Sequence, residues 1–280
     1  MSLASRASPD KSSARVPLLV AHPLSLADMS HLLGRTALVT GASAGIGAAT
    51  ARALAKAGAR LLLAARPSDR LTALARELQG AEALELDVRD APALAAALEG
   101  RTIDILIANA GLALGTDLVQ TGNPVDWSIV IDTNVKGVLH ALRAVLPGML
   151  ARGRGDVLFL GSVAGRQVYP GGNVYCATKY ALRGLYEALR LDVAGKGIRV
   201  STVDPGLVET EFSKTRFRGD LERARKVYLG NTPLKPEDVA DAILFILSRP
   251  PHVNIGELVL WPTDQASPTV LRRDAVPSLA

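Results

Sequence analysis

From residue 35 onward, short apolar runs alternate with longer stretches in which apolar positions recur at helical spacing. The runs at Thr36 to Thr40, Arg60 to Ala64, Ala83 to Leu86, Ile103 to Ile107, Val157 to Leu160, Arg199 to Val203 and Leu258 to Leu260 predict seven strands. Helices fill the intervals. Ala44 to Ala57 is rich in Ala and Leu and stops at Gly58, the residue that ends a helix most readily. Pro236 opens a later helix, with Glu237 and Asp238 in the first turn where their charge suits the helix dipole. This alternation predicts an α/β fold: a doubly wound parallel sheet of about seven strands, helices on both faces, in a single domain.

Residues 1 to 33 break the pattern, being Ser, Ala, Pro and Arg without a sustained period and with a second methionine, Met29, just before the first strand. They read as a flexible N-terminal extension. Arg6, Lys11 and Arg15 among serines also suit an organelle transit peptide, against which Asp10, Asp28 and the prolines argue. The folded domain is expected over 34–265 and a C-terminal tail over 266–280. Within the domain, the polar and basic stretch 213–226 reads as an insertion or lid.

Composition narrows the function classes. Of the 280 residues 48% are hydrophobic and 21% charged, enough apolar material for a core and too little charge for disorder. The net charge of +5 suggests a nucleic-acid partner only superficially, because the basic residues are dispersed and aromatics are 4%, leaving few stacking platforms. No run approaches the ~20 apolar residues of a membrane span. The lone cysteine, Cys176, excludes an internal disulfide and suits a reducing, cytoplasmic setting. His22, His31, His140 and His252 show no metal-ligand spacing, so no metal is expected.

The chemistry begins at Thr40-Gly-Ala-Ser-Ala-Gly-Ile-Gly47, a glycine-rich turn between a strand and a helix. Gly41 permits the tight turn, Gly45 lets backbone approach phosphates, and Gly47 lets the helix lie close to the sheet, the arrangement that cradles a dinucleotide pyrophosphate. Asp87 after the third strand is placed to accept from an adenine amino group, and Asn109-Ala-Gly111 after the fourth to close the crevice beside the ribose. Strand two ends Ala64-Ala-Arg66, with a cation where an NAD enzyme offers an acid to the ribose hydroxyls. A carboxylate about 4 Å from a 2′-phosphate costs several kcal/mol at an effective dielectric near 20, whereas Arg66 gains a charge-assisted contact. NADP is the expected cofactor, although Ala44 adds no second cation.

Tyr175-Cys-Ala-Thr-Lys179 opens an apolar-periodic segment running to about Val193. On a helix, Tyr175 and Lys179 share one face with Cβ atoms roughly 5 to 6 Å apart. An ammonium there favours tyrosinate and lowers the phenol toward a working acid/base range. Cys176, about 100° round the helix, is expected to be a buried filler. Ser162 ends the strand before this helix, and Asn134 lies in Thr133-Asn-Val-Lys-Gly137 after the fourth-strand region.

Together these residues resemble the short-chain dehydrogenase/reductase family over roughly residues 34 to 264, which implies a Rossmann-like fold. The resemblance implies Tyr175 as catalytic acid/base, Lys179 as its partner and nicotinamide-ribose ligand, Ser162 as hydrogen-bonder of the substrate oxygen, and Asn134 as holder of a relay water. It implies further cofactor contacts from Ser43, Ile46 and Val88, and from Pro205, Gly206, Val208 and Thr210, the segment that places the carboxamide and pyrophosphate. The family's Asn-Asn-Ala-Gly appears as Ala108-Asn109-Ala110-Gly111. It also implies a homo-oligomer, dimer or tetramer.

Gly171-Gly-Asn-Val-Tyr175, Glu211-Phe-Ser213, Arg216-Phe-Arg-Gly-Asp220 and His252-Val-Asn254 through Pro262-Thr-Asp-Gln265 are similar to the NADP-dependent 3-hydroxy acid dehydrogenases of that family. The basic lid then suggests an anionic substrate held by Arg216 or Arg218. The alternatives are an ordinary solvated helix on a reductase of larger neutral ketones or acyl substrates, or a nucleotide-binding protein without chemistry.

Overall fold

The structure, a computed structural model, describes residues 31–273. Residues 1–30 of the expected extension and 274–280 of the expected tail lie outside the described residues. Seven strands form one sheet in the order β3-β2-β1-β4-β5-β6-β7, with every neighbouring pair parallel. They are β1 (Thr36–Thr40), β2 (Arg60–Ala65), β3 (Glu82–Glu85), β4 (Ile105–Ala108), β5 (Gly155–Leu160), β6 (Ile198–Pro205) and β7 (Glu257–Leu260). The intervening helices are α1 (Gly45–Lys56), α2 (Asp69–Glu77), α3 (Ala91–Leu98), α4 (Pro124–Ile131), α5 (Gly137–Arg152), α6 (Asn173–Asp192), α7 (Phe212–Arg216), α8 (Leu221–Lys226) and α9 (Pro236–Leu247). The doubly wound α/β architecture is therefore the one the sequence predicts.

Successive strand residues feed opposite cores. Ile105 and Ile107 of β4 join Val39 and Leu63 in the cluster covered by Leu54 of α1 and Ile243 of α9. Leu106 between them joins Leu38 and Phe159 in the cluster covered by Leu94 of α3, Met149 of α5 and Tyr186 of α6. With both faces covered, the central strands β1, β2, β4 and β5 are apolar at most positions and stand out as runs in the sequence, whereas the edge strands β3 and β7 carry exposed Glu82, Glu85 and Glu257.

Boundaries differ where polar contacts intervene. The strand expected from Ile103 starts at Ile105, because the Asp104 carboxylate accepts from the Thr36 backbone N–H (3.0 Å) and its carbonyl accepts from Arg35 (2.9 Å). Leu32, assigned by sequence to the extension, is fully buried in the core, and Gly34 N–H donates to Gly58 O at 2.9 Å. The first part of the expected tail also belongs to the fold. Gln265 pairs with Leu271 in an antiparallel bridge, and Arg273 donates to the carbonyls of Lys226, Val227 and Leu229 at the end of α8.

The basic stretch 213–226 carries most of α7 and all of α8, separated by a turn in which Arg218 (φ 53°) and Gly219 (φ 88°) both adopt left-handed backbone. It lies over the carboxyl ends of the strands, where the strand order reverses between β1 and β4 and open α/β sheets form their ligand crevice.

Candidate active site

Two glycines of the β1–α1 turn have positive φ, Gly41 at 65° and Gly45 at 54°, so an L side chain at either is strained. A Cβ on Gly47 would lie 2.3 Å from Gly41 O, so the close approach of helix to turn depends on its absence. Ala44, the N-cap of α1, gives the helix no side-chain cap, and the amide groups of the first turn stay available for an anion. A Cβ on Gly45 would meet only the Thr210 side chain, 3.2 Å from its methyl. The cradle fits a pyrophosphate, with Ser43 and Ile46 in the same turn. Gly47→Ala is expected to destabilise the fold by about 1–3 kcal/mol through overpacking and to weaken dinucleotide binding, measured by denaturant unfolding and fluorescence titration.

Asn109 serves this turn from behind. Its Nδ2 donates to Thr40 O (2.8 Å) and Gly41 O (3.1 Å), while Thr40 Oγ1 accepts from the Asn109 and Ala110 amides. The side chain expected to close the crevice thus braces the glycine turn. At the other end, Arg66 is exposed just beyond β2. Asp87 is engaged by Arg89, whose Nη2 lies 2.7 Å from Oδ2. Those hydrogen bonds hold the Asp87 carboxyl below its ordinary value, with the charge of Arg66 acting in the same direction. Two arginines therefore flank this carboxylate; the sequence pattern points to Arg66 and gives no sign of Arg89. Val88 is buried, and its carbonyl meets His140 Nδ1 at 2.9 Å.

Asn134 lies in a π-helical turn, Asp132–Lys136, joining α4 to α5. Such a one-residue bulge often marks a functional site. The side chain is fully buried: Oδ1 accepts from Leu112 N (2.8 Å), and Nδ2 donates to Leu112 O (2.8 Å) and to Thr178 Oγ1 (3.0 Å). Thr178 Oγ1 in turn donates to Tyr175 O at 2.8 Å, so Asn134 ties the β4 loop to α6. Ser162 follows β5; its Oγ accepts from Ala164 N at 3.1 Å and donates to Pro205 O at 3.5 Å, and the hydroxyl acts on the Tyr175 phenol from beside it.

Lys179 is buried and its Nζ donates to Leu160 O at 2.8 Å, 5.8 Å from the Tyr175 ring centre. Burial pushes Lys179 down to about 8, opposed by Asp204. Burial also raises the Tyr175 phenol, with Tyr169 adding to the rise, and the Ser162 hydrogen bond and the Arg216 guanidinium opposing it. The expected lowering by Lys179 is thus not the balance found here. Desolvation of the phenol dominates, and the ammonium is directed at a backbone carbonyl. Cys176, expected as a buried filler, is 2% exposed.

Of the two arginines expected to hold substrate, Arg216 and Arg218, only Arg216 reaches this centre. Its guanidinium carbon lies 5.3 Å from the Tyr169 ring centre and 5.9 Å from that of Tyr175. Nε donates to Gly115 O (3.1 Å), Nη1 to Tyr169 Oη (2.8 Å) and Nη2 to Gly171 O (3.3 Å), and Gly115 N–H donates to Arg216 O at 2.9 Å. Arg218 instead pairs with Asp126 of α4. Phe212 also packs on Tyr175, with ring centres 5.4 Å apart and the planes tilted by 58°. Pro205, Gly206, Val208 and Thr210 border the same opening: Gly206 lies against Gln265, Val208 bridges to Leu234, and Thr210 Oγ1 accepts from Phe212 N at 3.2 Å. Among the described residues no group of three or more His, Cys, Asp or Glu could hold a metal ion, and no helix is long and apolar enough to cross a membrane.

A dinucleotide cradle at the same sheet edge as a buried Tyr–Lys pair equips a nicotinamide-dependent oxidoreductase. Within that class the chain belongs to the short-chain dehydrogenase family, whose model matches residues 35–220. It is 46% identical over 248 residues to the NADP-dependent 3-hydroxy acid dehydrogenase of Schizosaccharomyces pombe, covering 85% of this chain and 96% of that one. The enzyme of the same name from Escherichia coli K12 is 42% identical over 236 residues, 82% of this chain and 95% of its own. Among solved structures, the closed form of a serine dehydrogenase complexed with NADP+ superposes with a TM-score of 0.82 at 40% identity, covering 86% of this chain and all of that one.

Proposed function

We propose that this protein is an NADP-dependent dehydrogenase of short 3-hydroxy acids, moving a hydride between NADP(H) and such an acid or its keto or semialdehyde form. The relatives named for that activity support the reading. One observation carries the substrate class: the seat of Arg216 over Tyr175. Three of the five guanidinium N–H groups are engaged, one on each nitrogen, which leaves one on each terminal nitrogen. That pair is the fork a carboxylate takes, and Arg218, paired with Asp126, is the weaker candidate.

When bound, NADP supplies or takes the hydride. Gly41, Ser43, Gly45, Ile46 and Gly47 would hold its pyrophosphate, with Asn109 stiffening the turn. Arg66, Asp87 and Val88 would hold the adenine end, and Pro205, Gly206, Val208 and Thr210 the nicotinamide end. Tyr175 exchanges the proton with the substrate oxygen, Ser162 holds that oxygen, Lys179 binds the ribose and balances the charge of Tyr175, and Asn134 fixes the relay behind it. Leu139 and Leu150 of α5 and Tyr180 and Leu191 of α6 are exposed apolar residues. They support a homo-oligomer, dimer or tetramer, which we place in the cytoplasm.

A second reading, reduction of larger neutral ketones, is favoured by an apolar cavity of about 350 Å³ lined by Leu118, Val119, Val168, Tyr169, Cys176 and Tyr180. Arg216→Ala separates the two. The KM for a 3-hydroxy acid is expected to rise about 10-fold or more, well beyond the change for a neutral secondary alcohol, with NADP affinity retained. Equal changes for the two substrates would move the assignment to the neutral class.

A further inference from the structure

We propose that Arg166 and Asp204 form a positioning pair behind the catalytic centre, in which Arg166 seats the turn that carries Ser162 and the Asp204 carboxylate is the buried counter-charge of the Lys179 ammonium. The proposal rests on Ser162 and Lys179 having the roles given above, and it adds what holds them in place.

The turn is the first part of the geometry. Ser162 is the N-cap and Arg166 the C-cap of a single 3₁₀ turn, Val163–Gly165, in which Gly165 N–H donates to Ser162 O at 2.8 Å and Arg166 N–H to Val163 O at 3.0 Å. From the end of this turn the Arg166 side chain reaches two strands. Nε donates to Asp204 Oδ2 of β6 at 2.6 Å, and Nη2 pairs with Glu257 of β7. Pro205 O, one residue beyond Asp204, accepts from Ser162 Oγ at 3.5 Å, so the end of β6 meets the turn at both of its caps. A Cβ on Gly165 would lie 2.7 Å from Lys179 O, which shows how closely the turn also lies on α6. An isolated 3₁₀ turn has poor hydrogen-bond geometry of its own, and the charge-assisted bonds of the guanidinium are what fix this one to the sheet.

The carboxylate is the second part. Asp204 is 4% exposed; Oδ1 accepts from Thr202 Oγ1 at 2.7 Å, and Oδ2 is taken by Arg166. A Cβ on Gly161 would fall 1.8 Å from Oδ1, so only a glycine lets the carboxylate lie there. Gly161 directly follows Leu160, whose carbonyl accepts from Lys179 Nζ at 2.8 Å. The anion therefore sits one residue from the point where the ammonium is held.

The groups around Lys179 come from three elements. Tyr175 shares α6, its ring centre 5.8 Å from Nζ; Leu160 O belongs to β5; Asp204 belongs to β6 and is backed by Arg166 and Glu257. Burial favours the neutral amine and pushes Lys179 down to about 8, and Asp204 opposes it. Removing the anion lowers Lys179 further, so the ammonium is lost at a lower pH.

The test follows NADPH affinity by fluorescence titration, and kcat for a 3-hydroxy acid, both against pH, in variants whose fold is checked by circular dichroism. Because the ammonium is the ribose ligand, affinity is expected to fall as Lys179 loses its proton. Asp204→Asn keeps the shape and removes the charge. It is expected to move that alkaline loss downward by about one unit, a tenfold lower protonated fraction above the midpoint. Arg166→Met leaves the anion and frees the turn. It is expected to lower kcat by about 10-fold through a displaced Ser162, without moving the alkaline loss downward. Arg166→Lys, which can keep a bond to Asp204, is expected to recover part of that kcat. An alkaline loss in Asp204→Asn that coincides with the unaltered enzyme overturns the counter-charge, and an unaltered kcat in Arg166→Met overturns the seat. Should Asp204→Asn fail to fold with its arginine unpaired, the double variant with Arg166→Met is compared with Arg166→Met alone, and coinciding profiles overturn the counter-charge. If Lys179→Met keeps NADPH affinity and its alkaline loss, or Ser162→Ala keeps kcat, the roles of those residues fail instead, and the two kinds of failure are told apart.

Discussion

Tyr175→Phe is expected to lower turnover by at least about 100-fold while leaving NADP affinity within a few-fold, by steady-state kinetics and fluorescence titration. The substitution removes only the hydroxyl. The ring keeps its contact with Phe212 and its place under Arg216, so packing is retained. What disappears is the proton that must leave or join the substrate oxygen in the transition state, an effect worth about 10²- to 10⁴-fold in general acid–base catalysis. Because burial raises this phenol, alcohol oxidation should climb as pH rises toward its ionisation and be weakest in acid. Substantial residual turnover in the variant would sink the assignment.

The second large effect concerns the cofactor. Arg66→Ala is expected to weaken NADP by roughly 10- to 150-fold, the 1.5 to 3 kcal/mol of a hydrogen bond to a charged group, and to affect NAD much less. Arg66→Asp should go further and reverse the preference, since it adds repulsion to the lost attraction. Arg89 sharpens the expectation. It neutralises Asp87, so Arg89→Ala would expose a carboxylate beside Arg66 and should also weaken NADP selectively. Dissociation constants for the two nucleotides across these variants decide the matter; equal losses for NAD and NADP would refute the specificity role.

Features encoded by neighbours in sequence were legible. Strands buried on both faces appear as apolar runs, and the glycine turn and the Tyr175–Lys179 helix are local patterns with fixed spacing. The seat of Arg216 was not legible, because its partners Gly115, Tyr169 and Gly171 lie on other elements and two of them are backbone carbonyls, which no side-chain pattern records. The pairing of Arg218 with Asp126 joins residues 92 apart. The bracing role of Asn109 escaped for a related reason: an amide at a strand end looks the same whether it faces a ligand or its own chain. The phenol's acidity was misjudged because helix spacing reports the distance to Lys179 and not the burial that outweighs it.

The order of the strands also has a consequence for how the chain is made. Each strand after the first pairs with one already synthesised: β2 on β1, β3 on β2, β4 back on β1, then β5, β6 and β7 in succession. Folding can keep pace with the ribosome, and the single backtrack, at β4, is the step that opens the crevice. The glycine cradle, Arg66 and Asp87 are all in place once β4 is complete, whereas Tyr175 follows only after several more seconds at about 5–20 residues per second. During that interval the nascent chain holds half a nucleotide site beside the open edge of β4, an apolar strand still waiting for β5. A chain stalled there exposes an unpaired apolar edge open to other chains.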